Sequence, residues 1–207
     1  MMENIIFENP LIKEKIYNAL NKKENETISI EELKNIKKIT LNNKNLDGTL
    51  NEYTTNDFLN LNNIENLILN DFIIDDDMIN KINCLSNLTT ITLNFCKWNT
   101  NKSIDSKIKK MILTSSELNY EILTNYNFLE NIIIDYVGEV DMKRLSNIKN
   151  IEEMHIHNSK VKNSNFLKTF KNLRILNLDG SQLDNEKVLE ELKNSIEISF
   201  DKMYFYM

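Results

Sequence analysis

The two histidines of this chain, His155 and His157, stand two residues apart, the spacing that puts both side chains on one face of a β-strand. Imidazole titrates near neutral pH, and its nitrogens ligate metals or move protons. Carboxylates at Asp135, Asp179, Glu153 and Glu197 fall on the same strand or on adjacent ones in the reading below. A His157 flanked by Asp135 and Asp179 has the residue types of a metal site or of a general base. The remaining candidates are weaker. Cys84 and Cys96 fit neither a zinc spacing nor a disulfide framework, and neither has a histidine nearby to act as its base. Asp75, Asp76 and Asp77 form an acidic triplet without the turning glycine and further oxygen ligands of a calcium loop. Asp77 reads instead as a helix N-cap, with Met78, Ile82 and Leu85 on the buried side.

Whether such side chains meet depends on the elements that carry them, and one recurring pattern supplies those elements. Two apolar residues flank one variable residue, with an apolar residue three before the pair and another five after it. The copies are Ile36, Ile39, Leu41, Leu46; Ile64, Leu67, Leu69, Ile74; Leu88, Ile91, Leu93, Trp98; and Ile108, Met111, Leu113, Leu118. The fifth, Leu129, Ile132, Ile134, has Glu139 where an apolar residue is expected. Two clean copies follow, Ile151, Met154, Ile156, Val161 and Leu173, Leu176, Leu178, Leu183, then a partial eighth, Ile196, Ile198, Met203. Taking the second residue of each pair as a marker gives positions 41, 69, 93, 113, 134, 156, 178 and 198, with gaps of 28, 24, 20, 21, 22, 22 and 20. Helix or strand periodicity alone does not reset near every 22 residues, whereas leucine-rich repeats recur every ~20–29 residues.

The spacing dictates the packing. Alternation sends Leu176 and Leu178 to one side of a short strand while Ile175, Asn177 and Asp179 face the other. Each turn buries its apolar side against the turns above and below, which no turn does alone. Strands of successive turns then pair in parallel at roughly 4.8 Å, and their outward residues form columns.

Bulk composition agrees. With 207 residues, 41% hydrophobic and 27% charged, the chain is a foldable globular sequence, enough for one domain or two small ones and long enough to bury a substantial core. Three glycines and one proline imply few sharp reversals. A net charge of −6 with no basic cluster argues against a nucleic-acid partner. No apolar run approaches a membrane span of ~18 residues. The start, Met1 to Phe7, lacks the basic and apolar regions of a secretory signal, so the chain as given is expected to be cytoplasmic, or secreted or surface-displayed if it is a mature form. No cofactor is expected.

These repeats resemble the bacterial leucine-rich-repeat family, and the period near 22 resembles its internalin-like branch. Leu145-Ser146-Asn147-Ile148-Lys149-Asn150-Ile151 followed by Glu152 to Ile156 is similar to one such turn. Upstream, Leu11, Ile12, Ile16 and Leu20 lie on one helical stripe behind Pro10, and Thr27 to Leu33 leads into the first repeat. That order resembles a helical N-terminal cap, which covers the apolar end of a stack. The resemblance implies an α/β fold: a right-handed leucine-rich-repeat solenoid, or horseshoe, of about eight parallel strands. The expected organisation is a single domain over 1–207, with the cap at 7–34, repeats at 35–203 and a C-terminal end or cap at 204–207. One position departs from the family. Where it places Asn, this chain has Lys44, Phe72, Cys96, Ser116, Val137, Ser159, Ser181 and Asp201. Cys and Ser substitute in part; Lys44, Phe72 and Val137 do not, so irregular turns are expected in the first half and around the fifth turn.

In this register the central column on the concave face holds Thr40, Ile68, Thr92, Ile112, Ile133, His155, Asn177 and Glu197. The next holds Asn42, Asn70, Asn94, Thr114, Asp135, His157, Asp179 and Ser199, with Phe95 and Tyr136 at strand ends. Apolar Ile68, Ile112 and Ile133 near Tyr136 are a candidate contact surface. The leading expectation is a non-catalytic module that binds a protein partner, in host interaction or as an adaptor, through Ile68, Ile112, Ile133, Asp135, Tyr136, Glu153, His155, His157, Asn177, Asp179 and Glu197. One alternative is a metal-binding or hydrolytic protein centred on His155 and His157. Another is a structural protein that self-associates through the apolar end Met203 to Met207. The stretch Asp47 to Tyr53 in the long first interval reads as a tolerated insertion.

Overall fold

The computed structural model describes residues 5–43, 53–104 and 107–201. The expectations placed on Lys44, on the insertion from Asp47, and on the segment 204–207 lie outside the described residues. The chain forms two compact units, one comprising residues 1–92 and 96–106, the other 93–95 and 107–207.

In the first unit, α1 (Pro10–Ala19) starts at Asn9, whose side chain accepts from the N–H groups of Leu11 and Ile12. Ile12 and Ile16 are its buried residues, while Leu11 and Leu20 are half-buried. The short α2 (Ile30–Leu33) closes on a Ser29–Glu32 capping box. The Glu32 carboxyl is held down to about 2 by Lys22, 2.6 Å away, and by hydrogen bonds from Ser29. Strand β1 (Lys38–Asn42) leads to α3 (Thr55–Leu59) and β2 (Asn66–Asn70). Asp57 is fully buried in α3 and accepts hydrogen bonds from the backbone N–H groups of Glu8 (2.8 Å) and Thr54 (3.0 Å). One carboxylate thereby ties the N-terminal segment to the first turn. Beyond β2 come β3 (Ile73–Ile74), α4 (Asp76–Asn83), β4 (Thr90–Asn94) and β5 (Lys97–Trp98). The division between units falls inside β4. The N-cap of α4 is Asp75, not Asp77: Asp75 Oδ1 accepts from Met78 N at 2.9 Å, because the helix begins directly after β3. Asp77 lies in the first turn and pairs with Lys81 at 2.6 Å.

The second unit repeats strand, turn, short strand and helix. It contains β6 (Lys110–Thr114), α5 (Tyr120–Leu123), β7 (Asn131–Asp135), β8 (Glu139–Asp141), α6 (Met142–Leu145), β9 (Glu153–His157) and β10 (Lys160–Lys162). A 3-10 turn (Ser164–Thr169), β11 (Ile175–Asn177), β12 (Gln182–Leu183), α7 (Lys187–Leu192) and β13 (Glu197–Ser199) follow. Strands β6, β7, β9, β11 and β13 pair in parallel in that order, and β8, β10 and β12 form a second parallel sheet. Along β6, β7 and β9 burial alternates, with Met111, Leu113, Ile132, Ile134, Met154 and Ile156 at 1% exposure or less. Leu176 and Leu178 continue this inward row.

Two features of the turns refine the sequence reading. Residues two past six of the eight markers, Asp71, Phe95, Ser115, Tyr136, Asn158 and Gly180, have left-handed backbone, φ between 47° and 73°. This conformation turns the chain while keeping the N–H aimed one turn onward: Phe95 N donates to Thr114 O (3.0 Å), Ser115 N to Asp135 O (2.9 Å) and Gly180 N to Asp201 O (2.7 Å). Three past the marker in the fourth, sixth and seventh turns, Ser116, Ser159 and Ser181 hold the polar ladder with hydroxyls in place of asparagine. Ser116 Oγ donates to Leu93 O at 2.9 Å, and Ser181 Oγ to Ile156 O at 2.8 Å. Cys96 Sγ reaches Leu69 O at 3.5 Å. Val137 cannot take part through its side chain; its N–H is taken by Ser159 Oγ at 3.3 Å.

Two registers differ from expectation. The apolar position of the fifth repeat is filled by Val140, fully buried opposite Val161, and not by exposed Glu139. That turn is one residue longer, and Gly138, with φ +86°, takes up the extra length. At β13, Ile198 stands opposite Leu176 and not opposite Leu178. Glu197 therefore faces Ile175, and Ser199 takes the place beside Asn177 that the sequence reading gave to Glu197.

Candidate functional site

The outward side of the second unit's strands brings most of the proposed residues together. Ile112 pairs with Ile133, Ile133 with His155, and His155 with Asn177, forming one row across four strands. The adjacent row runs from Thr114 to Asp135 to His157. On the other side, Asn131 pairs with Glu153 and Glu153 with Ile175. All of these side chains are half-buried, because parallel neighbours cover one another's flanks. Tyr136 is 59% exposed and Phe95 61% exposed, both at the left-handed positions that end a strand. Glu197 is exposed at the outer row. Ile68, likewise outward and half-buried, pairs with Thr40 in the first unit.

The polar groups of this face are unevenly satisfied. Asp135 Oδ1 accepts from Asn158 Nδ2 at 2.8 Å. Asp179 accepts from Ser199 Oγ at 2.9 Å and from Asp201 N at 2.9 Å, so it serves the turn that follows it. His155 and His157 meet edge to face with ring centres 6.1 Å apart. Burial pushes the His155 imidazole below its ordinary value; the charge of His157 and Lys110 acts in the same sense, opposed by Glu153. Among the described residues, the buried His157 Nε2 has no hydrogen-bond partner. Asn131 Nδ2 donates to Glu153 Oε2, while the buried Asn131 Oδ1 has no partner among the described residues. A buried polar atom left unpaired costs about 1–3 kcal/mol, a cost that an incoming donor or acceptor removes.

Among the described residues, no three side chains of the His, Cys, Asp or Glu type converge as a metal ion requires. Asp135 does stand beside His157 in the register, but it accepts from Asn158, while Asp179 accepts from Ser199 and the Asp201 backbone. Also among the described residues, no helix is long and apolar enough to cross a membrane. Gly138, Lys160 and Gly180, outside the expected columns, line a groove where the strands end. The available signal was their type: two of the chain's three glycines fall within this stretch.

No family model and no curated protein matches the chain. Among solved structures, internalin C2 from Listeria monocytogenes superposes with a TM-score of 0.62 at 20% identity, over 96% of this chain and 88% of that one. A secreted internalin-like protein from the same organism gives 0.44 at 18% identity, over 98% of this chain and 67% of that one. A leucine-rich-repeat protein from Leptospira interrogans gives 0.37 at 15% identity, over 83% and 62%. The likeness to internalin C2 establishes the fold, a leucine-rich-repeat fold of the internalin kind, as the repeat spacing predicts.

Proposed function

We propose that the chain is a non-catalytic protein-binding module, and that the second unit's outward strand face receives the partner. One observation carries the reading: an apolar row, Ile112 beside Ile133, lies next to buried polar atoms, His157 Nε2 and Asn131 Oδ1, that lack partners among the described residues. Apolar surface beside unsatisfied polar groups is what an interface centre presents before a partner desolvates and pairs it. Exposed Tyr136 at the rim supplies one of the residue types enriched among binding hot spots. The repeat fold supports this reading because each outward column is free to vary without disturbing the inward apolar row.

The test is capture from an extract of the source organism on immobilised chain. The wild type is compared with an Ile133→Asp, His155→Ala double variant of equal folded stability. Loss of a specifically bound protein from the variant supports the reading; an unchanged set of bound proteins overturns it.

A further inference from the structure

At the ends of β7, β9 and β11 a groove of roughly 390 Å³ crosses three successive turns. Its construction follows from the repeat. Tyr136, Asn158 and Gly180 occupy equivalent left-handed positions, so the walls step from an exposed ring to an amide to no side chain at all. Gly138 is the extra residue of the long fifth turn, and a Cβ there would meet nothing within 4 Å. Lys160 and Gln182, paired between β10 and β12, close the other side. The lining is largely apolar backbone and ring surface, and the volume lies within the range of sites that hold small organic groups. Flat peptide planes at glycine beside the edge of an exposed phenol suit a planar ring, which gains from edge-to-face contact.

The charge at the rim narrows the occupant. Lys162, two residues from Lys160, pairs with Glu139 at 2.5 Å. Among the described residues, the exposed Lys160 has no ion-pair partner and the Tyr136 hydroxyl no hydrogen bond. We infer that this groove takes an aromatic side chain of a partner polypeptide in which an acidic residue follows the aromatic one, its carboxylate pairing with Lys160. The inference rests on the protein-binding reading for the class of partner, and the groove itself is separate from the Ile133–His155 row.

The experiment uses the full chain labelled with 15N and three acetylated, amidated dipeptides as probes: tryptophanyl-glutamate, tryptophanyl-glutamine and tryptophanyl-lysine. Expected are saturable shifts of the Gly138, Asn158 and Gly180 amide signals, with the acidic probe binding roughly two- to fivefold more tightly than the neutral one. In Lys160→Glu the preference reverses toward the lysine probe. Absence of shifts at these amides overturns the inference, as does equal binding of all three probes. Binding that emerges only after removal of residues 202–207 also overturns it, since the occupant is then the chain's own end. Probe binding together with capture that ignores the Ile133→Asp, His155→Ala variant sinks the strand-face reading and leaves the groove. The reverse pattern sinks the groove alone.

Discussion

A Cβ on Gly180 would lie 2.6 Å from Asn158 Oδ1, so one turn gives up its side chain to let the preceding turn keep its own. Asn158 in turn donates to Asp135, and through it the turn ends are linked across the sheet. Gly180→Ala combines a left-handed backbone with this clash, and it is expected to cost about 2–3 kcal/mol. Gly138→Ala, left-handed but facing open space, costs about 1 kcal/mol. Urea unfolding midpoints check the order of the two; equal losses contradict the role given to Asn158.

The hydroxyl ladder makes a separate prediction. Ser181 is buried, donates to Ile156 O and accepts from Ser159 N at 3.3 Å, so Ser181→Ala orphans two backbone groups. A loss of about 1–3 kcal/mol in equilibrium unfolding is expected. An effect within about 0.5 kcal/mol of zero, the size of an ordinary surface change, contradicts the ladder.

Tyr136 adopts φ 52° although it is a bulky residue, a conformation that Asn accepts more readily. Tyr136→Asn is expected to stabilise the fold by about 0.5–1 kcal/mol, since little ring burial is lost, while weakening partner and probe binding. Gain in stability with unchanged binding would show the ring to be idle.

His155 sets a pH dependence. Its folded-state value is lowered, chiefly by burial, so the folded chain takes up this proton at lower pH than the unfolded chain does. The contribution is complete above the unfolded value of about 6.5 and is lost as pH falls through the lowered folded value. His157 and Lys110 add to the effect and Glu153 opposes it. His155→Gln should therefore lose less stability than the wild type between about pH 7.5 and about pH 5.5. Equal losses in the two chains would place the titrating group elsewhere.

The repeat was legible because a buried apolar row leaves a period that no single helix or strand imitates. The slip at β13 has the same physical origin. Side chains alternate with period two, so a two-residue shift keeps Ile196 and Ile198 on the buried face, and only the pairing partner tells the registers apart. The cap at Asp75 was misplaced because three identical carboxylates differ only in which N–H each can reach. The extra residue at Gly138 announced itself only as a glycine in a glycine-poor chain. Of the site, the Ile112–Ile133–His155 row was readable as a column. The unpaired state of His157 Nε2 was not, since it depends on where neighbouring carboxylates spend their hydrogen bonds.

Photo-crosslinking in an extract of the source organism reads out whether the second unit's strand face meets a protein partner. Benzoylphenylalanine is placed singly at Ile133, at Asn177 and, as a control, at exposed Lys168 in the 3-10 turn. Positions 133 and 177 are expected to yield one shared crosslinked protein, and position 168 none. Crosslinks to that protein from 168 alone, or none from either strand position, would contradict it.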